Sequence, residues 1–299
     1  MVSGWIILDK PLGLGSTHAV AAVKRNVRAG GHGKAKVGHG GTLDPLATGV
    51  LPIALGEATK LAGRMLDASK VYVFTVRFGE QTDTLDAEGQ GVATSAVRPS
   101  PGDVAAVLPR FSGLIAQVPP AYSALKVDGA RAYDLARAGQ DVALAVRQVT
   151  IHTLELLATD ADSATCRAHV SKGTYIRSLA RDIALALGTV GHVTMLRREK
   201  AGPFSLDQAI SLDKLNEIGK GAALEHVLLP LEAGLDDIPA IDLSPEQARA
   251  VRQGRVLAGL PQDDGLYWAR AGAIPVALMQ IESGTAKVVR GFNFPDVAE

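Results

Sequence analysis

Residues 37–52, VGHGGTLDPLATGVLP, hold the most unusual local chemistry of the chain. Three glycines in four residues surround His39, so the backbone there can turn sharply or approach a ligand closely. Pro45 pushes Asp44 out of the helical region and puts its carboxylate on a fixed loop, where it suits a nucleophile or a base. For an arbitrary Asp-Pro the simpler reading is an Asx-type turn in which the aspartate caps only its own loop. Two other chemistries fail here. Gly33-Lys34 is followed by Ala35 rather than Ser or Thr, and Arg28 stands where a Walker motif needs its first glycine. His32 and His39 with Asp44 match no zinc spacing, so no metal is expected.

A carboxylate of this kind needs a frame. Residues 4–8 (GWIIL) read as a buried strand, and Ser16 stands where an N-cap should be, before a helix that ends at Gly30-Gly31. Residues 30–41, rich in glycine and lysine, read as a mobile basic loop. A strand at 50–55 and a helix at 57–66 follow, then an alternating strand at 70–79 with Tyr72, Phe74 and Val76 on one face. After the turn-rich QTDTLDAEGQG come a helix at 103–110, a hairpin signal at Asp128-Gly129 and a helix that Gly139 ends. Strands are expected at 147–157 and 164–170. The clearest helix is 171–188, with Ile176, Leu179, Ile183 and Leu187 on one stripe and Tyr175 and Arg177 in its first turn. A strand at 191–198 comes next. Acidic residues and proline gather at 230–241, a junction beyond which one helix and strands near 266–270, 275–281 and 285–290 make a small, mostly β unit.

The chain has 299 residues, 47% hydrophobic and 21% charged, as in an ordinary globular protein. Its 31 basic and 31 acidic residues cancel, but they are segregated. Residues 1–40 carry six Lys or Arg against Asp9 alone, and residues 165–200 carry seven against Asp182 and Glu199. If both segments face one cleft, a neutral protein still offers a polyanion-binding surface. Cys166 is the only cysteine, which excludes an intramolecular disulfide and a cysteine-based zinc cluster, and a reducing compartment, the cytoplasm, is expected. Neither a signal peptide nor a membrane-spanning run of about 18–20 apolar residues is read from the sequence.

Six segments then carry a family resemblance, in unbroken order over roughly residues 4–230. They are GWIILDKP, VGHGGTLDPLATGVLP, GEATKLAGRMLDASKVY, GEQTDTLDAEG, PPAYSALKVDGARAYDLARAG, and SKGTYIRSLARDIALALG with GHVTMLRR after it. Together they resemble the bacterial TruB-type tRNA pseudouridine synthases, which isomerise uridine-55 in the T-loop of tRNA. The C-terminal part resembles that family's PUA-like domain much more weakly. The resemblance implies an α+β fold: a pseudouridine synthase-like mixed, largely antiparallel sheet flanked by helices, with a small, mostly β PUA-like C-terminal domain. The expected division is 1–235 for the catalytic domain and 236–299 for the small one. No cofactor, metal, membrane or obligate protein partner is expected, only the T-stem-loop of tRNA bound by a monomer.

By the same resemblance Asp44 is the catalytic aspartate, and His39 helps the target base leave its loop. Tyr72 is the aromatic residue against the bound uracil, Tyr175 the active-site tyrosine, Arg177 the arginine paired with the aspartate, and Leu196 an apolar wall. Tyr122 and Lys126 are assigned no more than RNA contact. The run GGHGKAK departs from the family pattern, so the placement of His32, Lys34 and Lys36 is not inherited. Chemistry asks for these residue types. Forming pseudouridine breaks the N1–C1′ bond, rotates the uracil and rejoins it through C5, with no redox change and no atom lost. A carboxylate can add to C6, attack C1′ or remove a C2′ proton, and each route needs it charged, which a neighbouring guanidinium favours. The base must also be extruded and stacked on an aromatic face. Without the resemblance, Tyr72 reads as a core tyrosine and Arg177 as a surface charge. Two other functions use the same residues: an RNA-folding module that does not need Asp44, and a hydrolase pairing Asp44 with Asp83 or Asp86 that would release a free product.

Overall fold

The apolar runs GWIIL and GVLPIAL are too continuous for strands with one wet face. The computed structural model, which describes residues 2–123, 125–127, 129–140, 142 and 144–294, pairs them side by side and covers both faces. In chain order the first strands are β1 (Gly4–Lys10), β2 (Val37–His39), β3 (Ala47–Leu55), β4 (Lys70–Phe78), β5 (Glu80–Thr82) and β6 (Gly91–Thr94). Next come β7 (Gly113–Gln117), β8 (Lys126–Val127), β9 (Ala130–Arg131), β10 (Arg147–Thr159), β11 (Ser163–Val170), β12 (Gly191–Ala201) and β13 (Phe204–Ser205). The central sheet runs β1-β3-β12-β4-β11-β10-β7, with β2 on β3 and β13 on β12. Its ladders are antiparallel except β3–β12, so the expected mixed, largely antiparallel sheet is what forms.

The helices are α1 (Ser16–Val27), α2 (Ala62–Asp67), α3 (Pro101–Val107), α4 (Ala132–Arg137), α5 (Ile176–Ala186), α6 (Leu212–Gly219) and, near the C-terminus, α7 (Pro245–Arg252). Two buried clusters share one face of the sheet. One joins β4, β11 and β12 to α3 and α5 through Phe74, Val76, Val104, Ala168, Leu179 and Ile183. The other joins β1 and β3 to α1 and α6 through Ile6, Leu8, Val23, Leu51 and Leu215. Tyr72 and Leu196 pack against both and so mark the seam between them. On the opposite face Trp5, Ile7, Val50 and Ala54 meet Leu231, Leu235, Leu278 and Phe292, and the indole N–H of Trp5 donates to the Leu231 carbonyl at 3.0 Å. The C-terminal sheet thus shares a core with β1 and β3. It contains β14 (Ala240–Asp242), β15 (Leu257–Ala258), β16 (Gly265–Ala271), β17 (Ile274–Glu282) and β18 (Thr285–Gly291) in the order β14-β16-β17-β18-β15.

Several expected elements change where tertiary contacts compete with local preference. Ser16 is not an N-cap: Gly15 is, and the Ser16 hydroxyl is spent on Leu43. The supposed mobile loop 30–41 contains β2, because the β3 edge offers Val37–His39 a ladder. Residues 171–175 precede α5 instead of opening it, and Tyr175 is its N-cap residue. QTDTLDAEGQG is flanked by the β5–β6 pair, and β7 was not expected at all. Strands β8 and β9 pair across the Asp128-Gly129 hairpin signal; Asp128 itself lies outside the described residues.

Cys166 is 1% exposed, and burial pushes its thiol up to about 12. The native protein is therefore expected to leave a thiol-reactive disulfide reagent unconsumed at pH 8, and the urea-unfolded chain to react fully. Rapid reaction of the folded chain would show that β11 opens readily.

Candidate active site

The Asp44 loop is fastened carbonyl by carbonyl. Arg198, 1% exposed, donates to the backbone oxygens of Gly41 (3.1 Å), Thr42 (3.3 Å) and Val50 (2.7 Å). The Ser16 hydroxyl donates to the Leu43 oxygen at 2.8 Å and, at the same distance, accepts from the Leu43 N–H. The Ala47 N–H donates to the Asp44 oxygen at 3.0 Å. Lys10, fully buried, donates to the oxygens of Pro11, Leu14 and Pro45. Hydrogen bonds from charged donors contribute about 1.5–3 kcal/mol each, so Lys10 and Arg198 hold this loop more firmly than its own turn could. Gly49 is required where β3 meets β12: its φ is 101°, and a Cβ there would lie 2.2 Å from the Arg198 carbonyl oxygen.

Arg177, on the first turn of α5, joins three distant segments. Its Nη2 lies 2.8 Å from Asp44 Oδ2 and donates to the Tyr122 oxygen at 3.0 Å. Its Nη1 donates to the Thr84 oxygen at 2.9 Å and lies 3.4 Å from Asp86 Oδ2. The guanidinium is buried, whereas the Asp44 side chain keeps 42% of its exposure, so the pair has one anchored and one reachable member. Asp86 is occupied on both oxygens, Oδ1 accepting from Thr84 Oγ1 (2.5 Å) and the Glu88 N–H (3.0 Å). Asp83 accepts from the Tyr122 hydroxyl at 3.2 Å. Asp44, whose carboxylate is the most exposed of those paired with Arg177, is therefore the one best placed to meet a ligand.

A cavity of about 290 Å³ opens beside Asp44, and Tyr72, Tyr175, Arg177 and Leu196 all line it. Its volume is at the small end of the roughly 300–1,000 Å³ usual for ligand clefts, which suits one base rather than a stacked run. Strand register builds it: Leu196 of β12 stands across from Ala47 of β3 on one side and Phe74 of β4 on the other. His39 lies apart from this lining, on β2, where its Nδ1 accepts from the Gly41 N–H at 3.3 Å. Burial, with the charge of Arg198, lowers its pKa and favours the neutral ring. An open groove of about 760 Å³ leads away from Asp44 past Asp83, Glu88, Tyr122, Arg131 and Arg137. A cavity of about 780 Å³ between α2 and the C-terminal sheet holds none of the candidate residues, so size alone does not identify the site.

Of the two expected basic segments, the first keeps Lys24, Arg25, Arg28, Lys34 and Lys36 exposed, whereas the charge of the second is largely spent within the fold. In the second basic segment Arg167, Lys172, Arg181 and Arg197 pair with Glu199, Asp67, Asp182 and Asp9, while Arg177 and Arg198 are buried. Counting charges along the chain missed this because the compensating carboxylates come from other elements. It also missed Lys10 and Arg198 as supports of the loop. One signal was present: consecutive residues of a strand face opposite sides, so Arg197-Arg198 on an internal strand puts one arginine towards the core.

Burial holds Lys10 at about 8 instead of 10.5, with Asp44 opposing and Arg198 assisting, and holds Lys70 at about 8 as well. Both are protonated below pH 8 in either state, and above it the folded chain releases these protons first. Unfolding then takes up protons, so their contribution to stability rises from about pH 8 to 10.5. Urea midpoints at pH 7.5 and 10 are expected to show this gain in the wild type and less of it in Lys70→Met; an equal gain in both would refute the assignment.

Residues 28–176 match the profile of the TruB family pseudouridylate synthase (N terminal domain), and residues 177–236 that of the tRNA pseudouridylate synthase B C-terminal domain. A tRNA pseudouridine synthase B of Novosphingobium aromaticivorans is 72% identical, with all of both chains covered. One from Caulobacter vibrioides is 47% identical, covering 98% of this chain and 96% of its own. Among solved structures, the fold is similar to a chain of an H/ACA RNP bound to a substrate RNA containing 2′-deoxyuridine (TM-score 0.73, 25% identity, 98% of this chain and 86% of that one). It is also similar to a chain of the archaeal box H/ACA sRNP Nop10-Cbf5 complex (TM-score 0.72, 27% identity, coverage 97% and 86%). With the two profiles together spanning residues 28–236, and relatives identical at nearly half to three quarters of positions, the chain belongs to the TruB family of pseudouridine synthases.

Proposed function

We propose that this chain converts uridine-55 in the T-loop of tRNA to pseudouridine, acting as a monomer in the cytoplasm without a guide RNA, cofactor or metal. The observation that carries it is the Asp44–Arg177 pair at the mouth of a base-sized cavity walled by Tyr72, Tyr175 and Leu196. Extruding the base costs stacking energy, which Tyr72 and Leu196 return by covering the freed uracil in an apolar seam. Asp44 then acts on C6, C1′ or the C2′ proton. Arg177 pairs with the carboxylate and aims it, and its own buried charge is satisfied by Asp86 and two carbonyls. In this reading His39, held neutral, fills or props the gap left in the RNA loop, and the groove past Tyr122 takes the strand. Residues 1–235 do the chemistry, and 236–299 brace β1 and β3 from behind.

The test is site-resolved mapping of pseudouridine in unmodified tRNA incubated with the purified protein alone in EDTA. Conversion confined to the T-loop uridine is the expected result. Conversion elsewhere, or only when a guide RNA or metal is added, refutes the reading.

A further inference from the structure

The helix that carries Arg177 begins without a cap of its own. Tyr175 is the N-cap residue of α5, and its aromatic side chain lines the cavity instead of accepting a helix amide. A glutamine from another element closes this end. Gln117, the last residue of edge strand β7 and 1% exposed, accepts from the Tyr175 N–H through Oε1 at 2.8 Å. Its Nε2 donates to the Tyr175 carbonyl oxygen at 3.2 Å. One side-chain amide thus holds both backbone groups of one residue, so rotation of Tyr175 about φ or ψ breaks at least one bond. A capping box gives the same reciprocity within a single turn, but here the partner is 58 residues away.

The ring of Tyr175 has its own restraint. The guanidinium of Arg147 lies 6.0 Å from the ring centroid. Arg147 stands directly opposite Gln117 in the β7–β10 ladder, so one register delivers both residues to the same face. The 117–123 segment is further stitched to α5: Ser178 Oγ (2.8 Å) and Arg181 Nη2 (3.1 Å) both donate to the Val118 oxygen.

We infer that Gln117 and Arg147 are positioning residues that clamp Tyr175, by its backbone and its ring, in the wall of the base cavity. The inference rests on the reading of that cavity as the pseudouridine-forming site and adds to it. An edge strand outside every segment that lines the cavity then sets how well a flipped base is held for Asp44.

Gln117→Met keeps the side-chain length and removes both hydrogen bonds. Single-turnover pseudouridine formation in a T-stem-loop RNA is expected to fall about 10²-fold, with RNA Kd within about twofold of wild type. In a Tyr175→Leu background the same change is expected to add no further loss, because its effect passes through Tyr175. A wild-type rate in Gln117→Met, a loss that appears wholly in RNA affinity, or full additivity with Tyr175→Leu overturns the clamp. If Gln117→Met fails to fold, Arg147→Met at a half-buried position decides: the same loss of rate at unchanged affinity supports the clamp, and an unchanged rate overturns it. A wild-type protein that forms no pseudouridine removes the underlying reading, a result distinct from an active wild type with an indifferent Gln117→Met.

Discussion

Asp44→Asn is expected to slow pseudouridine formation by about 10⁴-fold or more while tRNA binding persists. The amide keeps the shape of the side chain and an oxygen for Arg177 Nη2, so the loop is expected to stay in place. What is lost is the negative charge and the lone pairs that each route to pseudouridine requires. The loop is held by Arg198, Ser16 and Lys10 through backbone oxygens and not through the Asp44 carboxylate, which separates chemistry from folding. Single-turnover rates with radiolabelled or mass-mapped tRNA, beside filter-binding affinities, measure the two independently. A rate within about tenfold of wild type would mean that Asp44 is not the reacting group, and a parallel loss of binding would mean that the variant damages the RNA surface.

Arg177→Met is expected to be the most damaging single change to the fold near the site. It leaves Asp86 buried with one oxygen unmatched, along with the carbonyls of Thr84 and Tyr122, and it removes the partner of Asp44. Breaking a buried ion pair from one side costs about 3–5 kcal/mol, because the charge that remains is desolvated and uncompensated. A lower urea midpoint and a rate near that of Asp44→Asn are expected together. Arg177→Lys keeps the charge, but one ammonium cannot match the planar fork that serves two carboxylates and two carbonyls, so it is expected to recover stability in part and little of the rate. An Arg177→Met protein with the wild-type urea midpoint would show that Asp86 finds another partner.

The small C-terminal sheet is not a detachable appendage, because it shares a buried core with β1 and β3. Leu278 and Phe292 share a cluster with Trp5, Val50 and Met65, and Glu57 accepts from the Asn293 N–H at 2.6 Å. Met65 belongs to α2, whose last residues lead into Lys70 and Tyr72 at the cavity. Support for that wall therefore reaches it from behind through packed side chains.

Much of this was legible along the chain because it depends on neighbours in sequence. Pro45 restricts the backbone of Asp44, alternation put Tyr72 and Phe74 on one face of a strand, and three- and four-residue spacing marked the buried stripe of α5. The residue types that could act on a uridine were visible for the same reason. Long-range polar partners were not. Ser16 looked like a helix cap because its neighbours made it one, until the Leu43 backbone offered its hydroxyl a buried alternative. Lys10 and Arg198 looked like surface charges for RNA, and Gln117 like nothing in particular. Each is fixed by a carbonyl or an amide that strand register brings from dozens of residues away. The sequence by itself determined which groups could do the chemistry and most, but not all, of the segments that would be helix or strand. Only the tertiary structure decided which charges are spent holding Asp44 in place, because a buried polar group must be satisfied by whatever the fold packs against it.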